Sequence, residues 1–441
     1  MTEQGRPRGA GLLLRSLKDK TARIGVIGAG YVGLPLAMEF CRKGFKVCAF
    51  DINKGRVADL MAGRSYVLDV SSDEIKRHLD DKLFEASAGF EGLSGQDVLF
   101  ICVQTPLRKS KEPDIGNILS AVSKIVEHPR KGQLVILEST TFPGTTDEIV
   151  LPRLEKMGKL GRDFYLAFSP ERVDPGNHAY GISNTPKVVG GVCPASAKLA
   201  LEVYGQIVET VVPVSDTRAA ETVKLLENSF RAVNIALVNE MAQVCHRLGL
   251  DVWEVIGAAA TKPFGFMPFY PGPGIGGHCI PKDPQLLSWK MKTLNYVPRF
   301  IELATTINQA MPEYVVGRIA DVLNEGKKAL HGSRILVLGV AYKPGISDYR
   351  ESPSLDVMDL LLRRKAVVSY HDPFVPAVEV AGRRMASVPL SDGGLRRADC
   401  VAVLTAHQEV DYGRVVRLAK RVFDARNATK ASNPDGRVHR L

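Results

Sequence analysis

Four clusters of residues in this 441-residue chain have types and spacings that can carry chemistry. The first is Gly28-Ala29-Gly30-Tyr31-Val32-Gly33. The first glycine permits a tight turn and the second lets backbone approach a pyrophosphate. The third lets a helix pack on a strand, and the helix N-terminus offers unpaired N–H donors. Asp51, 18 residues beyond Gly33, is spaced to accept hydrogen bonds from an adenosine ribose. Its charge would repel a ribose phosphate, which favours NAD over NADP. The second cluster surrounds Cys279 in Pro271-Gly272-Pro273-Gly274-Ile275-Gly276-Gly277-His278-Cys279-Ile280-Pro281-Lys282-Asp283. A lone cysteine is by default a small buried apolar residue, but glycine-rich backbone can approach a ligand closely, and Lys282 and Asp283 bring ionisable groups nearby. His278 does not make a Cys–His pair, because adjacent side chains on an extended loop diverge. No second ligand cluster exists, so no metal site is expected.

The third cluster, Lys224, Asn228 and Arg231, shares one helical face at i, i+4, i+7. Such a stripe is usually solvated. The flanking Val223, Leu225, Leu226, Phe230, Val233, Ile235 and Leu237 nonetheless predict a largely buried helix, in which a Lys and an Asn need a partner such as a reacting oxygen. The fourth is Ser169-Pro170-Glu171-Arg172-Val173-Asp174-Pro175-Gly176, placed after a strand, where an α/β sheet presents its ligand-side loops. Glu171 reads equally as a catalytic carboxylate and as the partner of Arg172 or another cation.

The elements that must position these residues follow from periodicity. Arg23–Ile27 and Lys46–Phe50 read as strands around a helix from Leu34 to Lys43, a βαβ unit with its glycines in the first turn. Apolar runs at Val98–Val103, Leu134–Leu137 and Tyr165–Phe168 read as further strands of a parallel sheet. A long helix runs from about Asp216, with Ser215 or Asp216 as N-cap, to Leu248, with Gly249 as stop. Arg334–Gly339 and Val367–His371 with Asp372 open a second strand-turn-helix. The expected fold is α/β, two Rossmann-like doubly wound lobes joined by a long central helix and a helical middle domain. The expected boundaries are a basic N-terminal tail over 1–20, a dinucleotide-binding domain over 21–212, a helical domain carrying the cysteine loop over 213–325, and a C-terminal α/β domain over 326–441.

Composition narrows the function classes. With 45% hydrophobic and 24% charged residues, the chain is expected to fold as a globular protein. The +10 net charge is carried mainly by its ends: residues 1–24 and 418–441 each contribute +4, so the body carries only +2. A nearly neutral body offers no continuous basic face, so nucleic acid is not an expected partner. Seven cysteines without a Cys-x-x-Cys pair fit a reducing compartment. No apolar run approaches a membrane span or a signal-peptide core, and a cytoplasmic location is expected.

Taken together, these residues resemble the UDP-glucose/GDP-mannose dehydrogenase family from about residue 20 to 430. The resemblance rests on the Gly28–Gly33 turn continued by Leu34-Pro35, Thr105-Pro106, Glu138-Ser139-Thr140-Thr141-Phe142-Pro143-Gly144, the SPER segment, Lys224 with Asn228, GGHCIPKD, Gly339-Val340-Ala341-Tyr342-Lys343-Pro344, and Arg350-Glu351-Ser352. Within the family, SPERVDPG, TKPFGFMPFYPGPGIGGHCIPKDP and GVAYKPGISDYRESPS are most similar to the UDP-N-acetylglucosamine 6-dehydrogenase branch. UDP-N-acetylmannosamine and UDP-glucose remain alternative substrates, and a two-electron hydroxyacid dehydrogenase is the rival from another class.

The resemblance implies oxidation of a sugar CH2OH to a carboxylate in two hydride transfers to two NAD+. It makes Cys279 the nucleophile, through a thiohemiacetal and a thioester, and Glu171 the general base for hydrolysis. Lys224 and Asn228 match oxyanion stabilisers; Asp283 matches a residue that orients Lys or a water, and Thr140 one that holds that water. For NAD the matching positions are Gly28, Gly30, Tyr31, Val32, Gly33, Asp51, Arg56, Thr105, Thr140 and Arg350. For the UDP-sugar they are Glu171, Arg172, Val173, Lys224, Asn228, the loop with Phe269, Tyr270, Gly272, Gly276 and Gly277, and Lys343 and Arg426. The resemblance also implies a homodimer or higher homo-oligomer built on the long helix. An Arg that some relatives carry before the cysteine loop is absent from Thr261-Lys262-Pro263-Phe264, so Lys262 is given no role.

Overall fold

Two mostly parallel sheets absorb the apolar runs. The computed structural model describes residues 9–67, 69–108, 112–173, 179–430 and 435–441. Residues 1–8 of the expected tail and the Asp174–Gly176 end of the SPER segment lie outside them. The chain divides into two units, one of residues 1–227 with 289–294 and the other of residues 228–288 with 295–441.

In the first unit the strands are β1 (Arg23–Ile27), β2 (Lys46–Phe50), β3 (Phe84–Ser87), β4 (Val98–Ile101), β5 (Gln133–Leu137), β6 (Phe164–Phe168), β7 (Lys187–Gly191) and β8 (Val211–Pro213). Their order is β3-β2-β1-β4-β5-β6-β7-β8, whose first six strands have the doubly wound dinucleotide-binding order. β1 pairs in register with β2 from Arg23↔Lys46 to Ile27↔Phe50. β4, β5 and β6 are buried along their whole length, as strands covered by helices on both faces must be. The strand sequence did not anticipate β7, which runs antiparallel to β6 through Ala167↔Gly191 and Phe168↔Gly190.

In the second unit β9 (Arg334–Leu338), β10 (Val367–His371), β13 (Cys400–Val403), β14 (Val422–Asp424) and β15 (Val438–Arg440) form a parallel sheet in the order β10-β9-β13-β14-β15. A hairpin of β11 (Ala377–Val380) and β12 (Arg383–Ala386) stands beside it.

Two expectations are corrected. Residues 10–18 are not tail but a helix whose Leu13 and Leu17 enter the first unit's core; its apolar side chains outweigh the nearby basic ones that suggested a solvated segment. The long helix spans Thr217–Leu248. Asp216 caps it by accepting the Ala219 N–H at 2.8 Å, and Gly249 ends it at φ +70°. However, Leu226, Phe230 and Leu237 are exposed, so the helix is not buried all round. Leu226, Phe230, Leu237, Val244 and Leu248, all exposed, fall within about 40° of one another at 100° per residue and form one apolar stripe.

Candidate active site

Each glycine of the first turn is required for its own reason. Gly28 has φ +96°, and a Cβ there would stand 2.8 Å from the Cys102 carbonyl oxygen; a Cβ at Gly33 would stand 2.0 Å from that of Gly28. Gly30 differs: a Cβ there meets nothing within 4 Å, so the middle glycine faces the open space a pyrophosphate would fill. Asp51 lies at the end of β2 and is 6% exposed. Its carboxylate accepts the Ala29 N–H at 3.0 Å and the Asn53 N–H at 2.8 Å, with Arg56 Nη1 at 3.7 Å. The Tyr66 hydroxyl donates to the Ala29 carbonyl at 2.6 Å, under the Arg56 guanidinium, a brace of the turn that sequence reasoning missed. Thr105 Oγ1 donates to the Thr140 carbonyl at 2.5 Å and ties together the loops after β4 and β5. Tyr31 is exposed and Val32 half-buried beside them. The donor set and the open approach at Gly30 therefore fit a dinucleotide.

The same end of this sheet carries the carboxylates. Glu171, on the loop after β6, accepts the Arg172 and Val173 N–H groups on Oε1 at 2.8 and 2.7 Å. Its Oε2 takes Lys187 Nζ at 3.1 Å. The Lys187 amine also reaches Glu138 Oε1 at 3.2 Å, and Tyr204 donates its hydroxyl to Glu138. Burial alone would push Glu171 up, but Lys187, the Val173 N–H and Lys224 together hold it below the ordinary carboxylate range. Burial pushes Glu138 up despite Lys187, and the two carboxylates hold Lys187 charged against its own burial. Of the two sequence readings of Glu171, the cation beside it is Lys187 rather than Arg172. The Arg172 guanidinium pairs with Glu227 at 2.6 Å and donates to the Pro186 carbonyl.

In the second unit Asn228 and Asp283 are both 5% exposed, and Asn228 Nδ2 donates to Asp283 Oδ2 at 2.5 Å. That bond fixes the Asn228 amide and leaves its second N–H to point elsewhere. Lys224 is half-buried, whereas Arg231, the third member of the i, i+4, i+7 set, is exposed. Of the seven cysteines Cys279 alone is exposed; Cys193 is intermediate and the rest are buried. The Cys279 carbonyl accepts the Lys282 and Asp283 N–H groups at 3.0 and 2.8 Å, which seats it at the entrance to the helix Asp283–Lys292. Burial, with Lys282 and Arg350, lowers the His278 pKa and favours the neutral imidazole.

The glycine loop lies against Arg426 and Tyr342 of the C-terminal α/β domain. A Cβ at Gly272 would meet Arg426 Nη1 at 2.3 Å, and at Gly276 the Tyr342 Cβ at 2.7 Å; Gly277, at φ +88°, faces the Tyr342 ring. The Gly272 N–H donates to Asn239 at 2.9 Å. Phe269 packs edge-on to Phe230, and the half-exposed Tyr270 stacks on Trp253. Burial lowers the Arg426 pKa against Asp424, a setting that favours an anion. Lys343 is half-buried, and Arg350 is exposed with its guanidinium on Asp348 at 2.6 Å.

The second lobe's first turn is closed to a dinucleotide. Asp372, the counterpart of Asp51 at the end of β10, accepts Val340 and Ala341 N–H groups on one oxygen and Phe374 and Val375 N–H groups on the other. It also pairs with His407 at 3.0 Å. With five partners this carboxylate has little left for a ribose, and it occupies the turn donors that Asp51 leaves partly open.

Three family models match in chain order: the NAD binding domain of the UDP-glucose/GDP-mannose dehydrogenase family over residues 22–208, its central domain over 218–310 and its UDP binding domain over 336–431. The chain is 35% identical to the UDP-N-acetyl-D-glucosamine 6-dehydrogenase of Pseudomonas aeruginosa over 393 residues, 88% of this chain and 92% of the relative. It is 34% identical to the UDP-N-acetyl-D-mannosamine dehydrogenase of Pyrococcus horikoshii over 420 residues, 92% and 96% of the two chains. The solved structure of a UDP-D-ManNAc dehydrogenase from Pyrococcus horikoshii superposes with a TM-score of 0.87 at 32% identity, covering 95% of this chain and 99% of that one. The NAD turn with its acid, the closed second turn and these matches lead to one conclusion: the chain belongs to the UDP-glucose/GDP-mannose dehydrogenase family and is an NAD-dependent UDP-sugar dehydrogenase.

Proposed function

We propose that this enzyme oxidises the C6 hydroxymethyl group of UDP-N-acetylglucosamine to a carboxylate, a four-electron change, through a covalent adduct on Cys279. The observation that carries the four-electron reading is the exposure of the Cys279 thiol on its glycine loop, whereas Cys193 is only partly exposed and the other five cysteines are buried. Two NAD+, bound in turn at the Gly28–Gly33 site, each accept one electron pair as hydride. Cys279 Sγ adds to the aldehyde carbon, its proton passing to the carbonyl oxygen, and forms a thiohemiacetal, which gives up a second pair of electrons far more readily than the free aldehyde; the product is a thioester. Lys224 and Asn228 donate to the oxygen that gains charge at each stage, with Asp283 holding the Asn228 amide in place. Glu171 takes a proton from the water that releases the acid and regenerates the thiol, and Thr140 holds that water. Arg426, Lys343 and the Phe269–Gly277 loop hold the UDP portion. A second copy of this chain covers the apolar stripe of the helix Thr217–Leu248.

The choice of sugar rests on the Pseudomonas aeruginosa relative and the SPER and cysteine-loop segments. The Pyrococcus horikoshii matches favour UDP-N-acetylmannosamine as the second reading. The test is a panel of UDP-N-acetylglucosamine, UDP-N-acetylmannosamine and UDP-glucose, with NADH counted and product mass recorded. Two NADH per sugar and a carboxylate from UDP-N-acetylglucosamine support the proposal. One NADH with an accumulating aldehyde or ketone would sink it in favour of two-electron chemistry. Preference for the mannosamine epimer would transfer it to the second reading.

A further inference from the structure

The antiparallel course of β7 has a chemical effect. A strand antiparallel to β6 begins at the edge where β6 ends, so Lys187, the first residue of β7, arrives beside the loops that follow β5 and β6. There it meets Glu138 from the first loop and Glu171 from the second, at 3.2 and 3.1 Å. Lys187 is 4% exposed and Glu138 1%. A lysine so deeply buried is costly unless paired, and here it is paired with two carboxylates at once.

We infer that Lys187 is a positioning residue of the reaction: it anchors the Glu171 carboxylate in one orientation and supplies its counter-charge, while Glu138 and Tyr204 anchor Lys187 in turn. The inference rests on the proposed role of Glu171 as the general base. With Oε1 bound to two backbone N–H groups and Oε2 to Lys187, the carboxylate has one orientation and keeps a lone pair on Oε2 for a water. The charged and titratable groups around it are Lys187 from β7, Glu138 after β5 and Lys224 from the helix Thr217–Leu248, with Tyr204 and Cys102 behind Glu138. Beyond Lys187 the chain of bonds runs through Glu138 to the buried Tyr204, which holds the Lys187 amine in place.

The test follows the Glu171 carboxyl directly, by 13C NMR titration of labelled glutamate, with the resonance assigned by its loss in E171Q. In K187M the Glu171 midpoint is expected to rise by about one pH unit or more, and the acid limb of kcat to move up with it; K187R is expected to return both to near the wild-type values. K187M leaves two buried carboxylates facing each other, so K187M/E138Q, in which the second charge is also removed, is the variant that keeps the fold within reach. Measured against E138Q alone, it should show an upward shift as well. A Glu171 midpoint unmoved between E138Q and K187M/E138Q, or an activity loss without displacement of the acid limb, would overturn the inference. If E171Q keeps wild-type turnover, the general-base assignment falls; the titration still decides whether Lys187 governs Glu171.

Discussion

Cys279 and Lys224 carry the sharpest expectations. Cys279→Ala removes the atom to which the aldehyde must bind, so acid formation should fall to background while NAD affinity, measured by fluorescence titration, stays near that of the wild type. Normal turnover in this variant would remove the thiol from the mechanism. Lys224→Ala should lower kcat by about 10²–10³, the usual worth of one oxyanion donor. A loss of tenfold or less would return Lys224 to the solvated stripe that its spacing first suggested. Local spacing made the glycine turn, Asp51 and the Lys224/Asn228 pair legible in the sequence, because each depends on neighbours within one turn or one strand. The bond from Asn228 to Asp283, 55 positions away, and the pairing of Glu171 with Lys187 were not legible. Both depend on where separate elements meet, and Lys187 itself reads as an ordinary lysine before a β-branched strand.

At the scale of elements, the two strand-turn-helix units show how one pattern serves two ends. Runs at β1, β2, β9 and β10 are recognisable from hydrophobicity alone, and their observed ends fall within a residue of the pattern. The reversal of β7 has no sequence signal, since the two Val residues of Lys187-Val188-Val189-Gly190 fit either direction. In the second lobe Asp372 closes the turn, and its pKa is depressed to about 2: burial opposes the shift, and His407 and the backbone N–H donors overcome it. A carboxyl whose folded pKa lies below its unfolded value of about 4 stabilises the fold above that value, and this stability is lost as pH falls through about 2. About 2 kcal/mol should therefore disappear between pH 4 and pH 2. Hydrogen exchange of β9 and β10 amides over that window is the measurement. Asp372→Asn should cost about 2–4 kcal/mol at neutral pH through unpaired donors and flatten the acid dependence. An unchanged exchange profile would mean that the turn is held by packing alone.

For the whole molecule, the exposed stripe on the helix Thr217–Leu248 is about 33 Å long from Leu226 to Leu248 at 1.5 Å per residue. An apolar band of that length on a folded chain calls for a cover. Leu237→Glu at its centre should convert a dimer into a monomer in sedimentation velocity while each unit remains folded; an unaltered sedimentation coefficient would move the interface elsewhere. No helix among the described residues is long and apolar enough to cross a membrane.

The distribution of thiols has one more consequence. Cys41, Cys48 and Cys102 are buried in the first unit, and Cys245 and Cys400 in the second. Each sulfur is shielded from alkylating reagent until its own surroundings open. A timed pulse of iodoacetamide followed by peptide mass mapping would thus report Cys279 at once. It would then read the opening free energy of each half of the chain separately, with no probe added and no residue changed.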